Sequence, residues 1–73
     1  MMQAYTVIEQ HCSMVEKVKV YPGTLRGKEE ALEYYMAVLK KYGLNEEEIN
    51  NGVEHRQCKV PSRDTMLYFI ETK

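Results

Sequence analysis

Two histidines and two cysteines fall in two short clusters, His11-Cys12 and His55-x-x-Cys58. Together they make the donor set of a structural zinc site. Their spacing opposes it, because adjacent strand residues point to opposite faces, and so do residues three apart. The usual C-x₂-C knuckle is missing as well. The same side chains offer a Cys–His nucleophile, pairing Cys12 with His55 or Cys58 with His11. Such a site needs a base within hydrogen-bond reach and a third group to orient that base. No motif supplies the third group, and a chain of 73 residues leaves little volume for a substrate pocket. Asp64 is the only aspartate, and the glutamates crowd the expected wet sides of helices, so paired acid–base carboxylates lack support too. The reading is of a non-enzyme with no catalytic residue, no metal and no cofactor.

The run Gly23-Thr24-Leu25-Arg26-Gly27-Lys28 follows an expected strand and precedes an expected helix. It is one residue short of a phosphate-binding loop, and Glu29 stands where the magnesium-binding hydroxyl belongs. A helix N-terminus flanked by Arg26 and Lys28 would still attract some anion. A glycine turn with solvated basic residues is the reading preferred. Lys17, Lys19, Arg56, Lys59 and Arg63 offer a basic stripe across a sheet, with Tyr5, Tyr21 and Tyr68 available to stack on bases. Single-strand binders combine these two features, so nucleic acid is the alternative partner. Glu9, Glu16 and Glu54 interrupt that stripe, and no helix-turn-helix, zinc-finger or RNP-type signature accompanies it.

The elements that must position these residues read as strand, strand, helix, strand, strand. The first strand is Gln3–Gln10, with the strand formers Tyr5, Thr6, Val7 and Ile8 at its centre. Val15–Tyr21 alternates, Val18 and Val20 to one side and Lys17 and Lys19 to the other, as a strand with one wet face does. Pro22-Gly23 stops it. Ala31, Leu32, Tyr35, Val38, Leu39 and Tyr42 then recur at helical spacing. Gly27 is the expected N-cap, Glu29 and Glu30 suit the positive end of the helix dipole, and Gly43 is the expected C′ glycine. Asn45-Glu46-Glu47-Glu48 reads as a short second helical turn with a capping box, ended by Asn50-Asn51-Gly52. The third strand, Val53–Val60, is polar enough for a sheet edge. Pro61-Ser62-Arg63-Asp64 turns the chain into the last strand, Thr65–Thr72.

That last strand is apolar on both sides, Leu67 and Phe69 opposite Met66, Tyr68 and Ile70. One helix covers one face of a four-stranded sheet. Either loops and the short second helix cover the other face, or another molecule does. Tyrosine and methionine are enriched at the centres of binding surfaces, which makes Tyr68, Met66 and Ile70, with Tyr5, the expected contact patch.

Composition fits this outline. Ten basic residues against eleven acidic give a net charge of -1, so no global field draws the chain to nucleic acid. Positions 29–52 are locally acidic, with six glutamates against Lys40 and Lys41, as a solvated helix face would be. No apolar run is long enough to span a bilayer, and Met1–Tyr5 lacks a signal-peptide pattern. Cytoplasmic residence with both thiols reduced follows as the expectation. A Cys12–Cys58 disulfide would also require strands one and three to be neighbours.

The expected fold is α+β, a single small domain over residues 1–73. A mostly antiparallel four-stranded sheet carries one long helix on one face, in the order β-β-α-β-β, with a short extra helical turn. Many unrelated small domains share that pattern, so it says little about activity. The functional expectation is a protein-binding module that occupies a macromolecular partner, as a small regulator or inhibitor does. An origin in a phage or mobile element is part of that expectation. The uncovered sheet face would take a protein partner or a second copy of the chain, making a homodimer.

Overall fold

The computed structural model describes residues 3–60 and 64–72. Two strands, β1 (Ala4–His11) and β2 (Met14–Pro22), form a hairpin through a tight turn at Cys12 and Ser13, both with positive φ. Helix α1 (Leu25–Lys41) follows, then helix α2 (Glu46–His55), a short strand β3 (Gln57–Val60) and the last strand β4 (Thr65–Thr72). The sheet is antiparallel throughout, in the order β2-β1-β4-β3. The α+β architecture is therefore as the sequence implies, with α2 as a full second helix. The expected turn residues Pro61, Ser62 and Arg63 lie outside the described residues.

Helix α1 buries the stripe that its periodicity marks. Ala31, Tyr35, Val38 and Leu39 are buried against Tyr5, Val7, Leu67 and Phe69 of the sheet. Tyr5 and Phe69 stack with ring centroids 5.9 Å apart, and Tyr35 meets the same Phe69 ring at an equal distance. Gly43, with φ of 85°, ends the helix where a left-handed residue is required.

The N-cap is Thr24 and not Gly27. Its hydroxyl accepts a hydrogen bond from the Gly27 amide at 3.0 Å. A threonine oxygen can satisfy an orphan helix donor, which a glycine lacks the side chain to do. Gly27 instead permits close approach, since a Cβ there would lie 1.9 Å from the Pro22 carbonyl oxygen. Moving the cap also removes Glu29 and Glu30 from the first turn, where no acidic residue remains.

Asn45 and Glu48 form the expected capping box, with bonds of 2.9 and 2.8 Å. The helix they start does not stop at Asn50-Asn51-Gly52; it continues to His55 and takes the first residues of the expected third strand. Packing overrides the weak local propensity of these residues. Gly52 is buried, and a Cβ on it would lie 3.3 Å from Leu39 Cδ1 and 3.0 Å from Cys58 Cβ. Its carbonyl accepts the Tyr35 hydroxyl at 2.9 Å. Burial, aided by the nearby Cys58, pushes that phenol well above its ordinary pKa. Arg56 then ends α2 in the left-handed region, φ 59°, and its carbonyl accepts the Phe69 amide.

Both helices thus pack on the same side of the sheet. The shortest dimension of the molecule, 17 Å, corresponds to two layers. Among the described residues, nothing covers the other face.

Candidate interaction surface

Alternation along each strand, combined with the observed register, decides which side chains share the open face. Four rows cross it: Pro22, Ala4 and Thr72; Val20, Thr6 and Ile70; Val18, Ile8, Tyr68 and Gln57; Val15, Gln10, Met66 and Lys59. Val15, Val18, Val20 and Ile70 are 59%, 54%, 62% and 42% exposed. Lys59, at the β3 edge, is the one charged side chain in these rows. Each valine left this accessible forgoes about 1–2 kcal/mol of burial. The apolar surface runs unbroken across three strands along Val18, Ile8 and Tyr68, while Thr6 and Gln10 stand between the apolar ends of the rows on either side.

Of the four residues expected to bind a partner, this face gathers Met66, Tyr68 and Ile70. Tyr5 is a correction. It pairs with Glu71 and Tyr21 on the helix side and is buried in the core. Thr6 and Ile8 hold the positions beside Ile70 and Tyr68 instead. Strand β2 also departs from expectation, because it has two wet faces. Its valines point away from the helices, while Lys17 and Lys19 lie on the helix side, opposite Glu9 and Val7. Lys19 Nζ sits 4.5 Å from the Tyr34 ring centroid and 6.0 Å from that of Tyr21, so its stem and charge roof the helix edge.

The residues of the expected basic stripe are not brought together. Lys17 and Lys19 are on the helix side of one edge strand, and Lys59 is on the open side of the other. Arg56 reaches Glu71 at 3.3 Å, and Arg63 is outside the described residues. Arg26 pairs with Glu30 at 3.2 Å on the exposed start of α1.

A second polar feature sits on the helix side, at the end of β1. Glu9 and His11, two apart on a strand, share one face. His11 Nε2 donates to Glu9 Oε2 at 2.5 Å, and the Tyr42 hydroxyl donates to the same oxygen at 2.5 Å. Thr65 Oγ1 lies 2.7 Å from His11 Nδ1. With Nε2 donating to the carboxylate, Nδ1 faces the Thr65 hydroxyl. Burial pushes the Glu9 carboxyl pKa up, but the Tyr42 and His11 hydrogen bonds and the charges of His11 and Lys17 outweigh it, leaving a net lowering. The chain hydroxyl–imidazole–carboxylate has the composition of a nucleophilic triad. Thr65 is only 2% exposed, however, so no substrate reaches its hydroxyl, and the network ties β1 to β4 and to the end of α1.

Beside it, Glu9, Lys17, Tyr34, Lys41 and Tyr42 line a cleft of about 220 Å³, below the usual size of a small-molecule site. No motif points to Glu9, Tyr42 or Thr65. The available signal was the two-residue spacing of a carboxylate and an imidazole on a strand.

His11, Cys12, His55 and Cys58 do not converge. Strands β1 and β3 are separated by β4, and both cysteines are free, Cys12 exposed in the hairpin turn and Cys58 half-buried on β3. Among the described residues, no three His, Cys, Asp or Glu side chains form a group able to hold a metal ion, and no helix is long and apolar enough to cross a membrane. The chain matches no protein-family model, no curated protein and no solved structure.

Proposed function

We propose that this chain is a non-enzymatic protein-binding module that acts in the cytoplasm, as a regulator or inhibitor, by occupying a partner through its open sheet face. The observation that carries this reading is the cluster of exposed Val15, Val18, Val20 and Ile70 around the half-buried Ile8, Tyr68 and Met66, almost free of charge. Tyr68 lies beside Ile8 in the middle row, and the polar Gln57 and Lys59 border the face at its β3 edge. Strand β2 supports it further. The lysines of β2 point to the helix side, where Lys19 lies over Tyr34, and its valines point to the open side, where they stay more than half exposed.

The test is capture from cells of the natural host with the wild-type chain and Ile70→Asp in parallel. A stoichiometric protein retained by the wild type and lost by the folded variant is the expected result. A partner held equally by both would overturn the assignment of this face. Nuclease-sensitive material released as salt rises would replace the reading with nucleic-acid binding.

A further inference from the structure

We infer that, in the free protein, the open face is covered by a second copy of this chain, giving a face-to-face homodimer. The inference rests on the reading of that face as a docking surface and names its occupant when no other protein is present.

Three observations favour a second copy. The first is size. Three strands of eight or nine residues and the four-residue β3 span a face of about 450 Å² in projection. Two such faces come to about 900 Å² in projection, and because accessible area exceeds projected area they reach the roughly 1,000 Å² at which a stable interface begins.

The second is charge. A twofold contact places a patch against itself, so it tolerates only patches without like-charge clashes. Lys59 is the one charge in the rows of this face, and it lies at the β3 edge. The acidic helix surface and the lysines of β2 are on the other side of the sheet, where they leave the contact undisturbed. Lys59 aside, these rows carry no charge that would select an acidic or a basic partner.

The third is shape. Val15, Val18, Val20, Ile8 and Ile70 are β-branched side chains standing on a pleated surface, which interdigitate with an identical surface as the layers of a β-sandwich do. A small one-sided core gains support from such self-association.

The experiment is sedimentation equilibrium of the full chain over roughly 1–100 µM, with Val18→Glu, Val20→Glu and the helix-side control Glu33→Gln alongside. The wild type and the control are expected at twice the 8.6 kDa chain mass. Each valine variant is expected to be monomeric, or at least ten-fold weaker in dimerisation, with an unchanged far-UV circular dichroism spectrum. Both valines are more than half exposed in the isolated chain, so the variants retain their fold. A wild type that is monomeric over the whole range would overturn the inference, as would a dimer insensitive to both valine variants. A monomeric wild type that still captures a protein which Ile70→Asp loses would refute the second copy alone. A monomeric wild type with capture insensitive to Ile70→Asp would refute the docking face as well.

Discussion

Replacing Tyr42 by phenylalanine removes one hydroxyl and tests the electrostatics of the polar network directly. That hydroxyl donates to Glu9 Oε2 at 2.5 Å, and the Glu9 side chain is only 12% exposed. A hydrogen bond to a charged, poorly solvated acceptor contributes about 1.5–3 kcal/mol, against about 1 kcal/mol for a neutral one. The wild type should therefore exceed Tyr42→Phe by about 2 kcal/mol at pH 7, a melting-temperature loss of roughly 8–16 °C for a domain this small. The difference should also depend on pH, with a definite sign. Glu9 has its folded-state pKa lowered from 4.5, so its stabilisation is complete above the unfolded value and is lost as pH falls through the folded one. Tyr42 is one of the groups that lower it. The gap between wild type and variant should thus shrink below about pH 4.5, toward the neutral hydrogen-bond value. Urea unfolding at pH 7, 5, 4 and 3, followed by circular dichroism, measures it. A gap below about 0.5 kcal/mol at pH 7, or one that stays constant to pH 3, would refute the reasoning.

Four further outcomes follow from the packing. Gly27→Ala places a Cβ 1.9 Å from the Pro22 carbonyl oxygen, so the start of α1 must move, and urea unfolding should show a loss of more than about 2 kcal/mol. Thr24→Ala deletes the observed cap and should cost about 1 kcal/mol, whereas capping by Gly27 would make Thr24→Ala neutral in the same assay. Cys12 is exposed, while burial and then the charge of Glu48 push the Cys58 thiol up, so a thiol reagent near pH 8 should give one fast and one slow phase. Cys12→Ser should remove the fast phase. Val20→Thr, on the open face, should leave the stability of the chain within about 0.5 kcal/mol when measured at concentrations too low for association.

Strand β4 was fully legible in the sequence, both its limits and its two apolar faces, because period-two alternation and bounding turn residues agree. The stripe of α1 was legible for the same reason at helical period. Helix α2 was legible only at its start. Asn45 and Glu48 announce a cap through local chemistry, but Asn50-Asn51-Gly52 announces an end that tertiary packing cancels. Nothing near Gly52 in sequence reveals that Tyr35, seventeen positions earlier, donates to its carbonyl. The same limit explains Tyr5. Alternation separates Tyr5 from Thr6 and Ile8, yet only the β1–β4 register tells which set lies beside Ile70 and Tyr68. The polar network needed three elements to meet, and the sequence shows only the Glu9–His11 spacing on one of them.

Strand β2 carries the argument about function one step further. Alternation alone leaves open which of its faces is buried, and the isolated fold buries neither. For the chain alone, threonine at positions 18 and 20 would provide the same β propensity without exposing hydrocarbon. The helix-side lysines are accounted for, since Lys17 faces Glu9 and Lys19 lies over Tyr34. The valines have no such account within one chain, nor does Ile70 across the sheet from Val20. A residue choice that costs solvation in the monomer and aligns over three strands is explained by the state in which it is buried. On the proposed reading, whether a second copy or a different protein provides that state, Val18 and Val20 would belong to the interface as much as Tyr68 does. A scan that substitutes each open-face residue singly by alanine should find its largest binding losses along the Val18–Ile8–Tyr68 row, with Gln57 at the rim near neutral. Losses concentrated instead on Lys17 and Lys19 would move the interface to the helix side and remove the explanation of the valines.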